Sequence, residues 1–343
     1  MILIPKHAQL ISVAVATGMF GLWGAGCSDS TTPENSTQPT QLLATTSIWA
    51  DITSSVVCGE YVPSLIPIGS DPHTWEPSIA TRADIDEARV IIANGLNLEN
   101  GLSDLLSAAE SDGKTVVEMT DVVDLISIGS VGAVSAGKHE DDHSNEVDDH
   151  DHSNEVDDHD HDSQFDAHIW LDPTRVIEAI PAIVDAAAAA GFDRSTITPC
   201  AEQYVTSLQT ADRDIDELLS SLSDKQRIIV TNHDSLGYFA ERYDLSVIGT
   251  VLPGSDTSVE ANAADLAELS HMLVELGIAT IFTDAESTDV DARALADRLD
   301  IDIVPLLTSS LTSGVDSGRS YLDLMLTNAQ AISDALNNQT DNS

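Results

Sequence analysis

From about residue 41 onward, short apolar runs alternate with stretches of helical periodicity. The runs "LLATTSI", "VPSLIPIG", "VIIANG" and "KTVVEM" predict strands. Between them, Trp49–Val57, Thr81–Ala88 and Leu98–Ala109 predict helices. "AHIWLDP" is a short apolar segment leading into a helix over Thr174–Ala190, which Pro173 and Thr174 open. Thr198–Leu222 has no Gly or Pro after Pro199 and predicts one extended helix. The alternation then resumes with "RIIVT", "LSVIGTV", "ATIFTD" and "IDIVPL" as strands. Helices over Leu236–Tyr243, Val259–Leu276, Val290–Leu299 and Tyr321–Leu336 separate or follow them. Strand–helix alternation on both sides of one long helix predicts an α/β protein. The expected architecture is two parallel-sheet (βα) domains, 41–195 and 225–337, joined by a rigid helix at 196–224.

Two stretches break this rhythm. At the N-terminus, Lys6 and His7 precede the apolar run "AQLISVAVATGMFGLWGAG", which ends at Cys27; residues 1–27 read as an export signal. The Ser/Thr/Pro-rich segment at 28–40 reads as a flexible tether. "GAGC" resembles a bacterial lipobox, which would make Cys27 the lipidated first residue of the mature chain and the membrane anchor. The alternative is a plain cleaved signal and a soluble periplasmic protein. No other segment has the length and apolarity to span a membrane.

The second break is the insertion at 138–162, in which the nonapeptide HSNEVDDHD occurs at 143–151 and again at 152–160. It has almost nothing to bury, so it reads as a solvated low-complexity loop and not as a pocket. Yet it carries His139, His143, His150, His152, His159 and His161, six of the chain's 11 histidines.

Charge narrows the function. The formal net charge is −44, and 139–162 alone contribute −12, so the rest of the chain is strongly acidic as well. Phosphate recognition needs a basic surface, so nucleic acid is excluded as a partner; cations fit. With Cys27 lipidated, Cys58 and Cys200 are the cysteines that remain in an oxidising compartment. One pair allows one connectivity, and a Cys58–Cys200 disulfide is expected.

In open α/β sheets, ligands bind at the carboxyl ends of strands. "SLIPIG" leads into "SDPHTWEPS" and presents His73. "RIIVT" leads into "NHDSLGYF" and presents His233. "AHIWLDP" presents His168 just before a helix. Outside the signal and the insertion, His271 is the remaining histidine, in mid-helix. Three histidines at element ends, contributed by both halves, favour one shared site in an inter-domain cleft. Three imidazoles suit Zn²⁺, with a fourth place for oxygen.

These residues resemble a known family, the metal-binding receptors of bacterial zinc/manganese ABC importers. "GSDPHTWEPS", "AHIWLDP" and "TNHDSLGYFA" are similar to its three metal loops in order, and "NGLNLE" and "SYLDLML" also match its pattern. The resemblance covers roughly 41–337 and implies that His73, His168 and His233 ligate the metal. Histidine at 233, where manganese members tend to have glutamate, implies a nitrogen-rich site for zinc.

The family often supplies an aspartate at the place that falls near Ser309 here. The fourth donor is thus left open among water, Glu76, Asp284 and Ser309. The resemblance implies capture of Zn²⁺ as transported cargo and its delivery to an ABC permease and its ATPase. The six histidines of the insertion, a feature of zinc-importing members, are expected to be weak accessory sites. The alternatives are a three-histidine zinc hydrolase, against which stands the lack of H-E-x-x-H and of a clear general base, and a manganese-binding protein or adhesin of the same fold.

Overall fold

The computed structural model describes residues 41–128, 164–287, 289–313 and 318–338. The expected signal, Cys27, the tether and the histidine-rich insertion lie outside the described residues.

The described chain builds two parallel sheets. Strands β1 (Leu42–Ala44), β2 (Val90–Ala93) and β3 (Thr115–Glu118) lie side by side in the order β1-β2-β3. Strands β4 (Ile228–Thr231), β5 (Ser246–Thr250), β6 (Thr280–Asp284) and β7 (Asp302–Leu306) form the second sheet, ordered β5-β4-β6-β7. Register is continuous along β1–β2 (Leu42 opposite Val90) and along β6–β7 (Thr280 opposite Asp302). Pro305 is tolerated because β7 is an edge strand.

Nine helices occur among the described residues: α1 (Ser47–Val56), α2 (Ile79–Glu87), α3 (Ser103–Ser111), α4 (Pro173–Ala189), α5 (Arg194–Leu219), α6 (Gly237–Tyr243), α7 (Ala263–Leu276), α8 (Val290–Leu299) and α9 (Tyr321–Asn338). Helix α5 has 26 residues, about 39 Å at 1.5 Å per residue.

Both faces of each sheet are covered, as parallel sheets require. Along β2, Val90 and Ile92 enter one apolar cluster, while Ile91 and Ala93 enter another with Ile85 and Leu106. In the second sheet, Ile229 and Phe282 join the first cluster, whereas Val230 and Ile281 pack outward with Leu269, Leu273 and Leu295. That first cluster therefore contains strand residues of both sheets, together with α1, α4, α5, α6 and α9. The two halves share one core, and α5 is packed into it through Ile197, Tyr204, Leu208 and Ile215. A disulfide joins Cys58, just after α1, to Cys200 on α5, with Cα atoms 5.3 Å apart.

Several elements depart from expectation, among them α3, which starts at Ser103 after a 3-10 turn at Asn100–Leu102 and not at Leu98. Of "VPSLIPIG", only a parallel bridge between Ser64 and Ala44 forms. Pro63 and Pro67 have no N–H, so a full ladder cannot run through that segment. The long helix starts at Arg194 and not in the 196–198 region, because Asp193 caps it by accepting a bond from the Ser195 N–H (2.9 Å). Helix α7 starts at Ala263 and not at Val259, with Asn262 Oδ1 accepting from Ala264 N (2.8 Å).

Candidate metal centre

Strand order fixes where a ligand can sit. From β4 the chain crosses to β5 on one side and then to β6 on the other, so a crevice opens at the carboxyl ends of β4 and β6. His233 lies two residues beyond β4, and Asp284 ends β6. The first sheet has a similar break, with the Ser64 bridge on one side of β1 and β2 on the other. The loop after that bridge carries His73.

Local chemistry orients each imidazole. Asp71 Oδ1 accepts from the His73 backbone N–H at 3.0 Å. Asp166 Oδ1 accepts from the His168 N–H at 2.9 Å and lies 2.7 Å from its Nδ1. The same Asp-x-His spacing thus makes a tight turn twice. His168 precedes a 3-10 turn, Ile169–Leu171, which passes into α4 with Asp172 as cap and Pro173 as first residue. His233 Nδ1 lies 2.8 Å from Asp284 Oδ2, in a contact bent away from good hydrogen-bond alignment. Asp284 is held in turn by Thr308 Oγ1 and Asn232 Nδ2.

The same "SLGYF" that follows His233 also props His168. Tyr238 donates its hydroxyl to Asp166 O (3.0 Å). A Cβ on Gly237 would fall 2.7 Å from Asp166 Oδ2, so only glycine lets that carboxylate lie there. Trp170 donates from Nε1 to Thr308 O (2.8 Å), and Tyr321 donates to Trp170 O (2.7 Å).

The three rings converge on Nε2. His168 Nε2 is 3.2 Å from His73 Nε2 and 3.4 Å from His233 Nε2. His168 and His233 are fully buried, and His73 is partly exposed. With Nδ1 turned to a carboxylate on His168 and His233, Nε2 is the atom that each ring turns toward the other. Four donors set tetrahedrally at the zinc–nitrogen distance of about 2.0–2.1 Å stand about 3.3–3.4 Å apart. The observed spacing is that of a tetrahedral edge.

Charge agrees. Burial, and then the neighbouring histidines, lower His73 to a pKa of about 3. Burial, and then His233, does the same for His168, also to about 3. Both stay neutral at any ordinary pH, the form that binds metal. Burial alone would lower His233, but Asp284, Asp71 and Asp166 outweigh it and raise its pKa. Asp284 is buried as well, yet His233, Thr308 and Asn232 hold it below the usual carboxylate range. Burial pushes Asp166 up to about 7, against the pull of the His168 N–H.

Among the described residues, His73, His168 and His233 are the one group of three or more His, Cys, Asp or Glu side chains whose ligand atoms all lie within 4.8 Å of one another. Glu76 is exposed at the surface. Asp284 backs His233, and Ser309 is buried with its Oγ 3.5 Å from Thr308 Oγ1. The six histidines of the insertion lie outside the described residues, and His271 is exposed on α7. Asp166 and the backing role of Asp284 were not anticipated; the repeated "DPH" and "DAH" spacing was the available signal for Asp166.

A family model described as the periplasmic component A of the zinc-uptake complex, ZnuA, matches residues 42–335. The chain belongs to this family. ZnuA-family proteins are non-enzymatic substrate-binding proteins of metal ABC transporters, so the hydrolase alternative falls away. The zinc-binding lipoprotein AdcA of Streptococcus pneumoniae R6 is 27% identical over 274 residues, 79% of this chain and 50% of AdcA. The chain thus spans about half the length of that relative. The manganese ABC transporter substrate-binding lipoprotein PsaA of S. pneumoniae is 24% identical over 97% of this chain and 99% of its own length. In fold, the chain is similar to the periplasmic zinc-binding protein TroA of Treponema pallidum, with a TM-score of 0.71 at 21% identity, covering 86% of this chain and 98% of TroA. No helix of the described residues is long and apolar enough to cross a membrane.

Carboxylate backing has a measurable consequence for this ZnuA-family chain. Replacing Asp166 with alanine frees the His168 ring and its tautomer, and metal affinity is expected to fall about 10- to 100-fold. A chelator-competition titration checks it; wild-type affinity in the variant would show that Asp166 does not orient the ligand.

Proposed function

We propose that this protein is an extracytoplasmic receptor that captures Zn²⁺ through His73, His168 and His233 and delivers it to an ABC permease and its ATPase. The reading is supported by His168 Nε2, which stands one tetrahedral edge from both the His73 and the His233 Nε2, and by the carboxylates that back two of the rings. An all-nitrogen set favours zinc over manganese, which prefers oxygen donors. Lipidation of Cys27 anchors the receptor to the membrane, in keeping with the lipoprotein names of AdcA and PsaA. The acidic chain attracts cations, and the histidines of the low-complexity insertion at 138–162 hold further zinc weakly, since closing a chain on an ion costs conformational entropy.

Calorimetric titration tests this. Zinc should saturate one tight site, both in the full chain and in a chain lacking 138–162, and manganese should bind far more weakly. Tighter manganese binding would make the protein a manganese receptor, as the similarity to PsaA allows. Equal zinc stoichiometry in the two chains would remove the accessory role of the insertion.

Proton release gives an independent sign. The His233 pKa is raised above its ordinary 6.5, so metal-free His233 still carries a proton around and somewhat above that pH. Zinc must displace it, so affinity rises with pH up to the raised pKa and falls about tenfold per unit below it. Titrations in buffers of different ionisation enthalpy should show about one proton released per zinc near pH 6.5. No release would mean that His233 is neutral before binding.

A further inference from the structure

Three nitrogens leave one tetrahedral position open, and a half-buried glutamate near the site keeps one carboxylate oxygen buried with no hydrogen-bond donor. Glu286 lies two residues beyond β6, and its Oε2 is shut off from solvent and has no hydrogen-bond donor. The other carboxylates around the site are committed. Asp71 accepts from His73 N (3.0 Å) and from Thr257 Oγ1 (2.6 Å). Asp284 faces His233 Nδ1 with one oxygen and Thr308 Oγ1 with the other. Asp166 also keeps a free buried oxygen, but its carboxylate sits on the Nδ1 side of His168, away from the converging Nε2 atoms. Asp289 keeps one too, while its other oxygen is pinned by Ser287 at the start of α8.

Glu286 is also well placed. The Ser310 N–H lies near its carboxyl group. Ser310 Oγ is 3.1 Å from Ser47 Oγ and accepts from Gly69 N at 2.8 Å, at the root of the loop that carries Asp71 and His73. The glutamate therefore stands where the loops of both sheets meet. Burial, and then Asp284 and Asp71, push its pKa up to about 8.

We propose that Glu286 is the fourth donor to the cargo ion, reaching it by side-chain rotation as the ion arrives. Among the described residues no carboxylate oxygen joins the three histidine donors in a group within 4.8 Å, so the side chain must turn. A glutamate has three side-chain torsions with which to do so, and a divalent charge inverts the local preference for a neutral carboxyl group. The result is three nitrogens and one oxygen around a single ion, closed to water. The proposal rests on the three-histidine reading.

The test uses the full chain with Zn²⁺ and Co²⁺ as probes. Glu286→Gln should lower zinc affinity about tenfold or more and change the visible d–d spectrum of the cobalt form. The metal-free protein should melt no lower than wild type, because a neutral near-isostere replaces an unpaired buried carboxyl group. Glu286→Asp keeps the acid but shortens its reach, and should also lose affinity. Wild-type zinc affinity and an unchanged cobalt spectrum in Glu286→Gln would overturn the proposal; loss of binding in His168→Ala would then leave the three-histidine reading standing. Unchanged binding in His168→Ala would take both down.

Discussion

Tight zinc binding is expected to disappear in His168→Ala. His168 is the hub of the cluster, with Nε2 within 3.2 and 3.4 Å of the other two. Removing it takes away one donor and leaves the other two without a shared tetrahedral face. The loss should exceed the roughly 10–100-fold cost of losing an outer partner such as Asp166. The fold should survive better than the site, since metal-free His168 is a buried neutral ring whose removal opens a cavity beside Trp170 (ring centroids 5.2 Å apart). Calorimetry gives the affinity, and thermal melting without metal separates site loss from unfolding. Retention of wild-type affinity would remove His168 from the ligand set.

The second large effect concerns stability. Replacing Cys58 and Cys200 together with alanine opens a covalent loop with a sequence separation of 142. Chain entropy alone assigns such a loop at most about 5 kcal/mol, and real values are often lower. At about 2–4 °C per kcal/mol for a chain of this class, Tm should fall by several degrees to more than ten. Zinc affinity should be unchanged, because neither cysteine touches the three histidines or the carboxylates that back them. Scanning calorimetry of the double variant, with and without reductant on the wild type, measures it. Equal melting of reduced and oxidised wild type would show that the bond contributes nothing to the folded state's advantage.

Much of this arrangement was legible in the sequence, for identifiable reasons. The strands β2, β4 and β6 are short runs of β-branched residues, and their carboxyl ends coincide with "NGLNLE", "NHDS" and Asp284. The loop after β4 was therefore readable, and with it His233, whereas His73 follows a segment that forms only a bridge and was legible through its "DPH" motif. The Cys58–Cys200 pair followed from counting. What failed was decided by single hydrogen bonds: prolines 63 and 67 interrupting a would-be strand, and the Asp193 and Asn262 side chains setting helix starts. The carboxylate partners of the imidazoles were harder to see. Asp166 stands two residues from its histidine and was visible in principle. Asp284 meets His233 across 51 positions of chain, and Glu286 meets the Ser310 loop in the same way, through sheet order alone. Periodicity carries no information about which strand lies beside which.

The shared core sets how the molecule can give up an ion. If the two sheets were to swing apart like jaws, the apolar cluster that Phe282 and Ile229 share with residues of α1, α4 and α5 would be wetted. Exposing even about 200 Å² of apolar surface costs roughly 5 kcal/mol at about 25 cal/mol per Å². That leaves a gaping population of about one molecule in several thousand, before the bonds from Trp170 to Thr308 and from Tyr321 to Trp170 are counted. The shared core therefore opposes a swing of whole sheets and leaves the loops after β4, after the Ser64 bridge and before α4 as the parts that can move at lower cost.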